Sequence, residues 1–135
     1  MVLAAWLFGA GGVVLAGIGV FFLFLRPPLL AEDLRFLDRD SHEIAEFMPQ
    51  LGVWLRRVFT VLGGHALAAG LLIMYVSAAG VRDGDSAAVA VLVVAGCASI
   101  GVMTVVNFAI RSDFRWALAG CGALWVAATA AALAS

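Results

Sequence analysis

Four stretches of the chain contain no arginine, aspartate or glutamate: Val2–Leu25, Val58–Val81, Ser86–Ile110 and Trp116–Ser135. Each matches or exceeds the ~20 apolar residues that cross the ~30 Å hydrocarbon core of a bilayer as an α-helix. A helix satisfies its own backbone hydrogen bonds, so it is the default solution for a chain whose solvent is lipid. Only 13% of the residues are charged, about half the share usual in a soluble domain. The pattern predicts an all-α, integral membrane four-helix bundle formed as one membrane domain over residues 1–135. Its transmembrane helices are expected at about 2–25, 50–81, 86–110 and 114–134.

The first run is read as a retained span and not as a signal peptide. Nothing basic precedes it, it is too long, and Arg26-Pro27-Pro28 follows it. The connections differ in kind. Residues 26–57 form a hydrophilic interfacial segment, whereas Arg82-Asp83-Gly84-Asp85 and Arg111-Ser112-Asp113-Phe114-Arg115 are tight turns. Short turns make helices two, three and four antiparallel neighbours. Asp85 or Ser86 is placed to cap the third helix, and Ser112 or Asp113 the fourth.

Within the long connection, Pro27-Pro28 ends the first helix. Leu30, Leu34 and Leu37 recur at helical spacing, which predicts a short helix on the membrane surface. Asp40 with Glu43 has the form of a capping box opening another helix. Ile44, Phe47, Met48, Leu51, Leu55 and Val58 fall on one stripe, with a break expected at Ala45–Pro49. Six acidic and five basic residues nearly cancel here, which argues against sensing of anionic lipid. The segment reads as a ramp into the second span, with docking of a partner as the alternative.

Arginine is the only basic residue type, and seven of the eight fall in the first and third connections, leaving Arg82 alone on the other side. The positive-inside rule makes the arginine-rich side cytoplasmic and puts both termini outside. Trp6, Tyr75, Trp54 and Trp116 sit at span ends, where amphipathic rings anchor helices. Trp125 is mid-span and should pack. The arginine-only usage, with much alanine, glycine and valine, suggests a bacterial cytoplasmic membrane.

Small residues mark the expected helix-packing faces. On span two, Gly63, Ala66 and Gly70 share a face with Thr60 and Ser77. His65 points almost the opposite way, with Val61, Ala68 and Leu72. Both faces want protein, so span two is expected either sandwiched between neighbours or exposed to a partner. Gly96 on span three and Gly120, Ala123 and Ala127 on span four form further close-packing ridges, as do Gly9, Gly12, Ala16 and Gly19 on span one.

His65 and Asn107 are the candidate ligand-binding residues. The ordinary reading of each is a structural hydrogen bond between helices. An intramembrane histidine also invites a ligand role, with a haem or quinone-like group as the occupant. His42-Glu43-Ile44-Ala45-Glu46 lacks the second histidine of a zinc site and reads as a solvated helix start. Cys97 and Cys121 read as small buried side chains.

No GxSxG, HExxH, phosphate-binding loop or cysteine pair occurs, and no span carries a carboxylate. No catalytic residue, metal site or resident cofactor is expected, and nothing points to nucleic acid. The function expected is that of a non-enzymatic accessory or scaffold subunit, associating in the lipid bilayer as a homo-oligomer or with a membrane-protein partner. A ligand or cofactor binder using His65 and an oligomeric small channel or transporter are the alternatives.

Overall fold

A computed structural model describes residues 1–135. The chain is all-helical, with four helices long and apolar enough to cross a membrane: α1 (Val2–Leu25), α4 (Leu51–Val81), α5 (Ser86–Ala109) and α6 (Arg115–Leu133). They begin and end within one residue of the expected bounds. Two short helices, α2 (Ala31–Leu37) and α3 (Ser41–Phe47), fill the long connection. Four such helices are compatible with a multi-pass membrane protein.

Local chemistry sets the boundaries. Asp85 caps α5, its Oδ1 accepting from the Ala87 amide at 2.8 Å. Gly84 supplies the positive φ (86°) that closes the preceding turn. Asp40 and Glu43 form the reciprocal capping box, with the Glu43 amide donating to Asp40 Oδ1 at 2.8 Å. Helix α3 stops at Met48, ahead of Pro49, and α4 starts at Leu51. At α6 the expectation fails: neither Ser112 nor Asp113 caps the helix, because Ser112 Oγ accepts from the Phe114 amide in the turn before it and spends its proton elsewhere.

Lipid tails are as apolar as leucine, so spanning helices associate by steric fit and not by a hydrophobic force. The tightest fit joins α1 to α4. Gly12 and Gly19 on α1, and Gly63 and Gly70 on α4, are spaced seven apart, two turns, and face one another. A Cβ on Gly70 would lie 2.6 Å from the Gly12 carbonyl oxygen, and one on Gly63 would lie 2.8 Å from that of Gly19. The two backbones therefore touch directly.

Helix α1 occupies the middle of the bundle, with α4 on one flank and α6 on the other. Its second face presents Phe8 and Gly11 to Trp125 of α6. The Phe8 and Trp125 rings meet edge-on at 5.8 Å, and the indole fills the notches at Gly11 and Gly96. Trp125 Nε1 donates to the Leu92 carbonyl of α5 at 2.9 Å. One buried ring thus ties three helices together. Helices α5 and α6 are close neighbours, but α4 and α5 touch chiefly around their shared turn, where Gly80 meets Ala88. The expected up-down-up order of α4, α5 and α6 is present, with α1 lying between α4 and α6.

Three stretches wind as π-helix: Phe21–Leu25 at the end of α1, Ser77–Val81 at the end of α4, and Cys97–Gly101 in the middle of α5. Trp6, Trp54, Tyr75 and Trp116 all point outward at the ends of the spans.

Gly70→Ala should destabilise the fold by about 2 kcal/mol, because the new methyl meets backbone that cannot yield. Gly64→Ala, with nothing within 4 Å of the added carbon, should stay within about 0.5 kcal/mol of the parent. Unfolding in a denaturing-detergent titration measures both.

Candidate functional site

Polar side chains inside the spans mostly bond back to their own helix. Ser77, Ser99, Thr104 and Thr129 each donate to the carbonyl four residues earlier, at 2.6 to 3.0 Å. Thr104 also reaches the Leu118 carbonyl across to α6 at 3.2 Å. The two candidate ligand residues behave in the same local way. Asn107 Nδ2 donates to the Met103 carbonyl at 2.8 Å. His65 Nδ1 lies 2.8 Å from the Val61 carbonyl. The interhelical bonds expected of both are replaced by bonds to their own helices, because the carbonyl one turn back is nearer than any neighbouring helix.

The structure also keeps them apart. His65 stands on the exposed face of α4, beside Val61, Gly64, Ala68 and Leu72, none of them buried. Of the two arrangements expected for span two, the sandwich is absent: α1 covers its glycine face, and nothing in this chain covers the other. Gly63 and Gly70 are buried against α1, Ala66 packs on the core, and Gly96 lies under Trp125. Gly120, Ala123 and Ala127 are exposed on the side of α6 away from the bundle. Trp125 decides this, since seating the indole turns Leu118, Trp125 and Ala128 inward. Cys97 is exposed and Cys121 half-buried, in place of the burial expected for both.

Asn107 lines a half-open cleft of about 510 Å³ between α1, α5 and α6, at the arginine-rich end. Its deep part is apolar, with Val14, Ile18, Met103 and Cys121. Helix α2 roofs the end with Glu32 and Asp33, beside Arg26 at the exit of α1. A second hollow, about 660 Å³, lies at the opposite end between α1 and α4, with Trp6 and Arg82 at its edge.

The roof is held by two polar ties. Ser112 Oγ and the Asp113 amide both donate to Glu32 Oε2, at 2.8 and 3.0 Å. These bonds bind α2 to the turn between α5 and α6, so the first and third connections share one end of the bundle. Glu32 is 7% exposed and Ser112 fully buried. Arg26 supplies the other tie. Its guanidinium pairs with Asp33 Oδ2 at 3.0 Å, donates to the Pro27 and Pro28 carbonyls, and lies 3.6 Å from the centre of the Phe59 ring. Asp33 also accepts from the Leu30 amide at 2.8 Å, capping α2. The exposed Arg35–Asp113 pair, 2.9 Å apart, adds little.

Sequence reasoning gave Glu32, Ser112 and Arg26 no functional weight. The contacts that bury Glu32 come from residues 80 positions away, and α2 read alone presents its leucines as the membrane face. The one local hint is Arg26 within reach of Phe22 and Asp33 on a chain reversed by two prolines. His42 and Glu46 are exposed, with His42 Nδ1 and Glu46 Oε2 4.0 Å apart, and no cluster of three metal-binding side chains occurs.

No protein-family model matches the chain, nor does any curated protein or solved structure.

Ser112→Ala removes one donor to a buried carboxylate, a bond worth about 1.5 kcal/mol or more. Backbone amides of Ala31–Leu37 should then exchange with solvent deuterium roughly ten-fold faster, with α4 unchanged. Unaltered exchange in α2 would show that this contact does not hold the roof.

Proposed function

We propose that the chain is a non-enzymatic accessory or scaffold subunit of a bacterial cytoplasmic membrane, acting by lateral association with another membrane-spanning chain, a copy of itself or a different one. The observation that carries this reading is His65. A carbonyl can only accept, so the Val61 oxygen fixes Nδ1 of the neutral imidazole as the donor and leaves Nε2 as an acceptor. No side chain of this protein offers Nε2 a proton. His65 lies eight residues, ~12 Å of helix rise, beyond Arg57, and therefore within hydrocarbon if Arg57 marks the interface. A polar atom facing acyl chains is costly, and a donor from a neighbouring helix removes that cost. Gly64 and Ala68 beside it keep the surface low enough for close approach. The exposed Gly120, Ala123 and Ala127 ridge on α6 offers a second face of the same kind.

One specific feature favours a second reading. An imidazole that ligates a metal ordinarily donates its other N–H to a carbonyl or carboxylate, the state His65 adopts. A haem or similar group on Nε2 would need its opposite ligand from another chain, since His42 lies outside the spans.

One preparation separates these readings. His65→Leu should lower the mass of the assembly measured by native mass spectrometry in mild detergent and leave the helical content intact. An unchanged mass would remove the basis for association through this face. A Soret band in the parent that vanishes in His65→Leu would assign the face to a haem.

The arginine asymmetry supports an orientation with residues 26–57 and 111–115 in the cytoplasm and both termini outside. In a variant lacking Cys97 and Cys121, an impermeant maleimide on intact cells should label Asp83→Cys, and should label Ser41→Cys only after lysis. The reverse pattern would invert the topology.

A further inference from the structure

We infer that the cleft between α1, α5 and α6 binds a single-chain lipophilic amine, with its apolar body between the helices and its ammonium group against Glu32. Three observations converge on that chemistry, independently of the α4 face discussed above.

The first is the distribution of polarity. A volume of about 510 Å³ falls in the ~300–1,000 Å³ range of small-molecule sites. The cleft is apolar along Val14, Ile18, Met103 and Cys121 and polar only at its arginine-rich end. It is half-open, so an amphiphile can enter sideways from one leaflet with its head already at the correct depth.

The second is the state of Glu32. It is buried, yet no basic side chain pairs with it: Arg26 is taken by Asp33 and Arg35 by Asp113. Arg115 donates to the Arg111 and Ser112 carbonyls. Both hydrogen bonds to Glu32 end on Oε2, which leaves Oε1 without a protein donor. No buried side-chain polar atom of the chain lacks a partner, so Oε1 is the accessible oxygen, and Glu32 lines the cleft; a ligand cation there would supply the missing counter-charge.

The third is the sign of the unused hydrogen-bonding capacity. Asn107 uses its amide nitrogen on Met103, so its Oδ1 is free to accept. Donors also remain, one N–H of Asn107 and two of Arg26, but the only group at this end of the cleft that carries a charge with no partner of opposite sign is the acceptor Glu32. The one cationic donor there, Arg26, is committed to Asp33, to two carbonyls and to the Phe59 face. An ammonium group has three donors and no acceptor, and so matches. A carboxylate or phosphate head would meet two carboxylates against one engaged guanidinium. That excludes a phospholipid, including one whose ammonium sits beside its phosphate.

The test uses the full chain in phosphatidylcholine nanodiscs and an alkylamine carrying a diazirine at the far end of its tail. Photolabelling should concentrate around Val14–Ile18 of α1 and Cys121 of α6. Dodecylamine should suppress it, and dodecanol or phosphatidylethanolamine should not. Glu32→Gln keeps an oxygen for Ser112 but removes the charge, and should reduce the labelling roughly ten-fold, the loss of one charge-assisted bond. Gly17→Leu, at a cleft glycine with nothing within 4 Å of its added carbon, should block labelling without touching the acidic end. Equal competition by dodecanol, or full labelling in Glu32→Gln, would reduce the cleft to an acyl-chain groove with no head-group recognition and overturn the assignment. Competition by phosphatidylethanolamine would overturn it in favour of a phospholipid.

Discussion

Backbone-to-backbone contact between α1 and α4 is the constraint on which the rest of this bundle depends. In hydrocarbon a helix gains nothing by merely hiding apolar surface, so pairs form where shapes allow the closest approach. Gly12 and Gly19 against Gly63 and Gly70 provide that approach. Once α4 is seated there, α1 has one free flank, and Trp125 takes it by filling the notch at Gly11. The indole in turn draws in α5 through Gly96 and the Leu92 carbonyl. Burial of the glycine face of α4 also dictates that His65, almost opposite on the same helix, points away from the bundle. The cleft has the same origin, since α1 reaches α6 through Phe8 and Trp125 but stands off from α5 and α6 nearer the arginine-rich end.

Polar interactions are divided unevenly along the molecule. Between the spans, only Trp125 and Thr104 send a hydrogen bond to another helix, and the hydroxyls of Thr60, Ser77, Ser99 and Thr129 return to their own helices' carbonyls. Steric complementarity therefore specifies the transmembrane part. The arginine-rich end is different: Glu32 with Ser112 and the Asp113 amide joins the first connection to the third, and Arg26 with Asp33 braces the first. At the opposite end Asp85 does little beyond capping α5. The closed, polar-tied end is also the one that carries the cleft.

Much of this was readable from residue order. Charge-free length gives the spans, Pro49 the break before α4, and Asp40 with Glu43 the start of α3. The face of α4 bearing Gly63, Ala66 and Gly70 was readable because glycines two turns apart have few other uses in a span. The ridge of Gly120, Ala123 and Ala127 looked equivalent but lies outside, since a helix rich in alanine has several smooth faces and one large ring chose among them. Glu32 was not readable. Its partners are brought to it by the return of α5, and the leucine spacing of α2 pointed to a different face. His65 and Asn107 drew attention as polar residues at membrane depth, but spacing alone could not tell that each would turn back on its own helix.

The π-helical stretch within α5 has a geometric effect on the packing stripe of that helix. Inward residues of that helix recur every fourth position from Ala88 through Leu92 and Gly96 to Ile100, a rhythm that slips by ~40° per step in an ideal α-helix. A widened turn at Cys97–Gly101 gives back part of that rotation. Ile100 consequently stays on the same side as Gly96, buried in the bundle, and does not drift off toward the acyl chains. Angular phase, tuned by a single wide turn, keeps the inward stripe of one continuous rod aimed at its neighbours from Ala88 to Ile100.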